Sequence, residues 1–179
     1  VNWDDYNEDH IKFELKTYIA ENEQNINDAT LCVYCEREID IANNKGHIEH
    51  IKPKEKFPQL FQEYENLSIS CDSHGTCGHA KGNKYDSKFI NPVKDNPKDF
   101  LTYDDLTGEI IAKDVSVKDR VDYTVNEVLK LNEYNLCKAR RLIIRHLNDA
   151  LNGGYFDYIV DNYKDFHTLI NFYKESQTL

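Results

Sequence analysis

Residues 65–85 read ENLSISCDSHGTCGHAKGNKY, and between Cys71 and Lys84 they crowd two cysteines, two histidines, three glycines and two lysines into fourteen positions. Cysteine beside histidine points to a metal, and glycine beside lysine points to phosphate. A short helix is expected to begin near Cys77 or Gly78 and run through Lys84 and Tyr85. That would place the last cysteine at its start.

Working outward, an earlier CxxC pair, Cys32 and Cys35, stands in the stretch LCVYC. With Cys71 and Cys77 it reads as two halves of one tetrahedral zinc site, because a CxxC turn presents two thiolates to one ion at about 2.3 Å. The second half is CxxxxxC, and His74 makes a CxxH with Cys71. His74 is therefore an alternative fourth ligand, although the expected helix start favours Cys77. A redox CxxC, or a pair of ordinary buried cysteines, are the competing readings; a second pair after an intervening hairpin favours structural zinc. Cys137 falls on an amphipathic helical pattern and reads as a small packed residue.

Composition bounds the rest. A chain of 179 residues is long enough to bury about 70% of its unfolded surface, in one domain or a small core with an extension. No apolar run approaches the roughly 18 residues of a membrane helix, and the first residues lack the basic-then-apolar pattern of a secretory signal. A cytoplasmic location and no membrane partner are expected. Net charge is −10, distributed as −6 over residues 1–31, −1 over 32–88 and −3 over 89–179. Phosphate binding depends on Lys and Arg, so the near-neutral middle segment is the part fitted to nucleic acid, and the acidic flanks imply help from a partner.

The middle segment offers β-prone stretches at 38–41 and 46–51 around an Asn-Asn-Lys-Gly turn, which read as a hairpin. Pro53 ends the second stretch. Ahead of it, Ile11, Leu15, Tyr18 and Ile19 mark an amphipathic helix over about 4–22. Beyond residue 88 a second hairpin is expected across Asp104 to Gly108. Helical periodicity follows from Tyr123, through Val125, Val128, Leu129, Leu136, Leu142, Ile143, Leu147 and Leu151. Gly153 and Gly154 break it before a last helix. Three segments result: an N-terminal helix (1–31), a core (32–88), and a hairpin with a helical extension (89–179) fitted to a partner. The fold class is α+β.

The stretches LCVYCEREI, HIEHIKPK, ENLSISC, CGHAKGNKY, LTYDDLTGEI and TVNEVLKLNEYNL together resemble the HNH (ββα-metal) endonuclease family, and within it the PtuB-like nuclease subunits of Septu and retron-linked antiphage systems. The resemblance runs from about residue 10 to 145. It implies a zinc-knuckle ββα-metal core flanked by the N-terminal helix and the C-terminal helical region. It further implies that His50 is the general base, Glu49 a ligand of a catalytic Mg²⁺ or Mn²⁺, and Asn66 a residue that braces the loop and orients His50. The position after the last zinc cysteine carries an Asn or His ligand in many HNH nucleases, and here it is Gly78. His79 is the expected substitute and Asn83 the alternative. In a regular strand His47 and Glu49 would form the metal pair instead; in a strand that bends before Pro53, Glu49 and His50 converge. Lys52, Lys54, Lys81 and Lys84 are expected to meet phosphate. Lys138, Arg140, Arg141 and Arg145 form a second basic cluster.

The resemblance thus implies a metal-dependent endonuclease acting on nucleic acid, DNA rather than RNA, in antiphage defence with a PtuA-like ATPase partner. The alternative from another class is a noncatalytic zinc-binding interaction module with an impaired site, for which Gly78 speaks.

Overall fold

A computed structural model describes residues 9–176. Helix α1 (Asp9–Glu23) buries Ile19 and Ala20 against the core, whereas Tyr18 turns outward and meets the Tyr64 ring edge-on at 6.2 Å. The expected helical residues 4–8 lie outside the described residues. The chain then reverses through a two-residue hairpin, β1 (Asn25–Ile26) and β2 (Ala29–Thr30), whose turn residues Asn27 and Asp28 adopt φ of 51° and 61°. Asn and Asp tolerate this left-handed backbone better than other non-glycine residues, and such turns match the twist of paired strands.

The hairpin expected from 38–41 and 46–51 does not form. Asp40 accepts from the Asn43 backbone and side chain, closing a local turn. From α1, the buried Lys16 amine donates to the Asn44 side chain and to the Lys45 and Gly46 carbonyls, at 3.3 and 3.1 Å for the carbonyls. The second stretch, β3 (His47–His50), pairs instead with β4 (Leu67–Ser70), antiparallel, with His47 opposite Ser70 and His50 opposite Leu67. That register sets Ile48 across from Ile69, which is wholly buried. Gln24 covers the other edge of β4: its Oε1 accepts from Ile69 N–H, and its amide donates to the Ile69 and Leu31 carbonyls.

Helix α2 (Cys77–Lys81) starts at the expected cysteine but ends three to four residues early. Gly82 takes φ +50°, a conformation that terminates helices cheaply only for glycine.

In the C-terminal half, β5 (Leu101–Tyr103) and β6 (Ile110–Ala112) form the anticipated second hairpin. Asp104 organises its turn by accepting from the Leu106 and Thr107 amides. A short α3 (Lys118–Val121) widens into a π-helical stretch over Asp122–Val128. Helix α4 (Tyr134–Gly153) follows, closed by Gly154 at φ +73°, and then α5 (Phe156–Ile159) and α6 (His167–Ser176). The helical period restarts at α4 because Lys130 takes φ +55°. Ile144 is consequently buried while Leu142 is 54% exposed, a phase that the uninterrupted periodicity missed.

Arg140 leaves the second basic cluster altogether. It is buried and donates to the carbonyls of Gly108 and Leu131 and to the Asn132 side chain, tying the β5–β6 turn and the segment before α4 to that helix. A single apolar cluster takes residues from all three expected segments, from Ile19 through Cys32 and Ile69 to Leu169. No described helix is long and apolar enough to cross a membrane.

Candidate functional site

The Sγ atoms of Cys32, Cys35, Cys71 and Cys77 all lie within 4.8 Å of one another. Sulfurs arranged tetrahedrally at about 2.3 Å from an ion stand about 3.8 Å apart, and Cys35 Sγ and Cys71 Sγ are 3.8 Å apart. The donor set and its spacing fit a structural metal such as zinc. Strand pairing explains the convergence: β3–β4 pairing carries Cys71, at the end of β4, to the CxxC turn, and the Val33 amide donates to the Ile69 carbonyl. Cys77, at φ +55°, donates its N–H to the Leu129 carbonyl at 2.8 Å, so the residue that ends the π-helical stretch holds the fourth cysteine. His74 lies outside this cluster. It is exposed, with its ring 4.9 Å from that of His79.

Strand β3 is regular through residue 50, so its side chains alternate. His47 and Glu49 face α2, and His50 faces the other way. Glu49 is buried, with Oε1 accepting from Lys81 Nζ at 2.7 Å and from the Tyr34 hydroxyl at 3.0 Å. Burial alone would raise its carboxyl pKa, but His47, Lys81 and Tyr34 outweigh it and hold the group below its ordinary value. Its Oε2 lies 3.6 Å from His47 Nε2, and His47 Nδ1 lies 3.3 Å from Asp72 Oδ1. Glu49 and then Asp72 raise the His47 pKa against the opposing effect of burial. His79, exposed on α2, brings its ring to 4.8 Å from that of His47.

Gly78 forms the floor of this group. A Cβ there would stand 2.7 Å from Glu49 Oε2 and from His47 Nε2, and 3.0 Å from Ser70 Oγ. Only glycine lets α2 approach the strand so closely.

On the opposite face, the Phe61 carbonyl lies 2.9 Å from His50 Nε2. A carbonyl only accepts, so Nε2 carries the proton and Nδ1 is the basic nitrogen. Burial holds the His50 pKa below its ordinary value. An open groove here is lined by Lys12, Phe13, His50 and Lys54. Asn66 is buried beneath it, accepting from Lys52 N–H and donating to the Lys52 and Leu60 carbonyls. These bonds hold the loop that carries Phe61.

The four lysines separate. Lys54 and Lys84 are exposed, and the Lys52 amine rests over the rings of Phe57 and Tyr85 at 5.6 and 6.0 Å. Lys81 does not reach phosphate: it is 1% exposed, and its amine is taken by Glu49 and the His50 carbonyl. Asn83 is exposed and bonded to Glu55. Sequence reasoning overlooked Tyr34 and Asp72. Both sit inside quoted motifs, Tyr34 within the CxxC turn and Asp72 directly after Cys71, but neither belongs to a ligand pattern on its own.

A sheet pinned by a four-cysteine cluster, with a short helix across one face bearing histidines and carboxylates, defines an α+β protein able to hold zinc. No family model matches the chain. The chain is similar to the Septu protein PtuB of Bacillus thuringiensis, at 33% identity over 116 residues; the match takes in 63% of this chain and 41% of that relative. The match thus covers less than half of the relative's length.

Proposed function

We propose that the chain is a metal-dependent HNH-type endonuclease that hydrolyses phosphodiester bonds of nucleic acid, DNA in the first instance, and that it serves antiphage defence beside a PtuA-like ATPase. The observation that carries this reading is the convergence of His47, Glu49 and His79 on one face of β3 with an oriented histidine, His50, on the next residue. The similarity to PtuB supports the defence role and the ATPase partner.

Among the described residues β3 pairs only with β4, so a phosphodiester could lie along its outer edge, between the two faces. His50, neutral at pH 7 with Nδ1 basic, is suited to take a proton from the attacking water. Asn66 keeps the Phe61 carbonyl in place and so fixes the His50 tautomer. A divalent ion held by Glu49 and His79, with His47 beside them, would supply charge neutralisation at the phosphoryl and leaving oxygens. Lys54 and Lys84 are positioned at the surface for backbone phosphates.

The Glu49–Lys81 pair favours a second reading, a noncatalytic zinc module, since one carboxylate oxygen is already fully engaged. Incubating the purified chain, alone and with its ATPase partner, with plasmid and Mg²⁺ or Mn²⁺ separates the two. Cleavage that disappears in His50→Ala supports the enzyme; no cleavage under any of these conditions supports the module.

A further inference from the structure

We infer that the cavity between the CxxC turn, the β5–β6 hairpin, the π-helical stretch and the start of α6 binds a neutral single-ring heterocycle with a carbonyl beside an N–H, the chemistry of a free pyrimidine base such as uracil. None of His47, His50 or His79 lines this cavity, and its use does not depend on the nuclease reading. Its volume is about 120 Å³. An apolar cavity of about 150 Å³ takes up benzene, so one six-membered ring fits here and a fused purine does not. Leu101, Val125 and Phe166 give it apolar walls.

Most polar groups around it are already committed. The Tyr34 hydroxyl donates to Glu49, Thr124 Oγ1 accepts from Ile90 N–H, and Asp95 accepts from Arg120 and from Asn91 N–H. Three groups keep bonding capacity. Arg140 is 1% exposed, and its Nε and Nη2 serve Gly108, Leu131 and Asn132; none of these bonds uses Nη1, whose two N–H groups remain. The Tyr103 hydroxyl bonds to no described residue, and burial followed by the Glu36 charge pushes its pKa well up, so it keeps its proton and donates. The Glu36 carboxylate accepts from the Thr168 N–H and hydroxyl, and a carboxylate has room for about two bonds more.

Buried polar groups in folded proteins are paired. A partner that meets all three offers acceptors to Arg140 and Tyr103 and a donor to Glu36. Arg140 and Glu36 bring opposite charges to the same space, which favours a neutral ligand over an anion or a cation. Ordered water is the competing occupant. A space of about 120 Å³ takes on the order of four waters, each seeking about three hydrogen bonds, more than three uncommitted groups and apolar walls supply. A cyclic amide meets the polar groups with its edge and the apolar walls with its faces.

The test titrates the full chain, its cysteine site loaded with one equivalent of zinc, with uracil by isothermal calorimetry and by thermal denaturation. One saturable site is expected, with a melting temperature that rises with uracil concentration. Adenine and uridine, both too large for the space, should bind at least tenfold more weakly. Tyr103→Phe removes a hydroxyl that the fold does not use, so it should keep the parental melting temperature without ligand and weaken uracil about fivefold, the worth of one hydrogen bond. Leu101→Phe, which fills the cavity, should abolish uracil binding with zinc content retained. No saturable uracil binding, adenine or uridine bound as tightly as uracil, or parental affinity in both Tyr103→Phe and Leu101→Phe overturns the site.

Discussion

Lys81 Nζ stands 2.7 Å from Glu49 Oε1 with both side chains buried, and the same amine reaches the His50 carbonyl. One cation from α2 thus fixes the acid of β3 and the backbone of the residue beside it. Removing one partner from a buried pair leaves an uncompensated charge, at a cost of about 3–5 kcal/mol. Lys81→Met should therefore lower the melting temperature by on the order of 10 °C. The double variant with Glu49→Gln should recover part of that loss, as thermal denaturation of the two proteins would show.

The four-thiolate cluster ties three separate stretches together, so metal removal should act on the whole fold. Metal-binding free energy in such sites is folding free energy. Stripping the ion with a strong chelator, or replacing Cys35 by Ser, should abolish the cooperative thermal transition. A transition unchanged after verified metal loss would show that the cluster is not structural.

Glu36, next to Cys35, accepts from the Thr168 backbone N–H at 2.9 Å and from its hydroxyl, while the Glu36 carbonyl accepts from Phe166 N–H. It caps the first turn of α6 from across the molecule. Glu36→Ala should cost about 1–2 kcal/mol and speed hydrogen exchange in the first turn of α6. Exchange in β3 and β4 should stay as in the parent.

His50→Ala and Asn66→Ala should separate chemistry from bracing. Loss of a general base costs about a hundredfold or more in rate, so His50→Ala should cut cleavage by that factor with little change in melting temperature. Asn66→Ala removes three buried hydrogen bonds worth about 1 kcal/mol each. It should lower both stability and rate.

His167 accepts from the Asn171 amide through Nε2 at 2.8 Å, which requires the neutral ring at that nitrogen. Burial, then the Lys174 and Lys98 charges, lower its pKa. A histidine with a depressed folded pKa stabilises fully above its ordinary value, about 6.5, and that contribution is lost as pH falls through the folded pKa. The melting temperature should decline as pH drops below about 6.5, with a shallower decline in His167→Gln.

The cysteine cluster was largely legible in the sequence because CxxC and the second cysteine pair are set by spacing, although only the Sγ positions separate Cys77 from His74. The β5–β6 hairpin was equally local, its turn written in Asp104 to Gly108. The partner of β3 was not, since residues 38–41 are adjacent in sequence while β4 is some twenty residues away. The nearer pairing is excluded by the Lys16 contacts, by the Asp40 turn, and by residues 37–39 bonding back to Thr30 and Cys32. Lys81 misled for a related reason. A lysine on a short helix reads as solvated until a buried carboxylate is known to face it. Gly78 looked like a missing ligand, and its actual demand, close approach of a helix to His47 and Glu49, is visible only once β3 and α2 are in contact.

The Cys77 amide rests on the Leu129 carbonyl, and the Glu36 carboxylate rests on Thr168. Fragments divided near residue 88 would each carry half of these contacts: the N-terminal piece would hold all four clustered thiols but lack the carbonyl that seats the last one. Expressed alone, neither piece should be soluble in native form, and mixing them should restore both. A protease cut in the exposed 113–116 linker, by contrast, should leave the assembly intact, because every such contact would remain within a non-covalent whole.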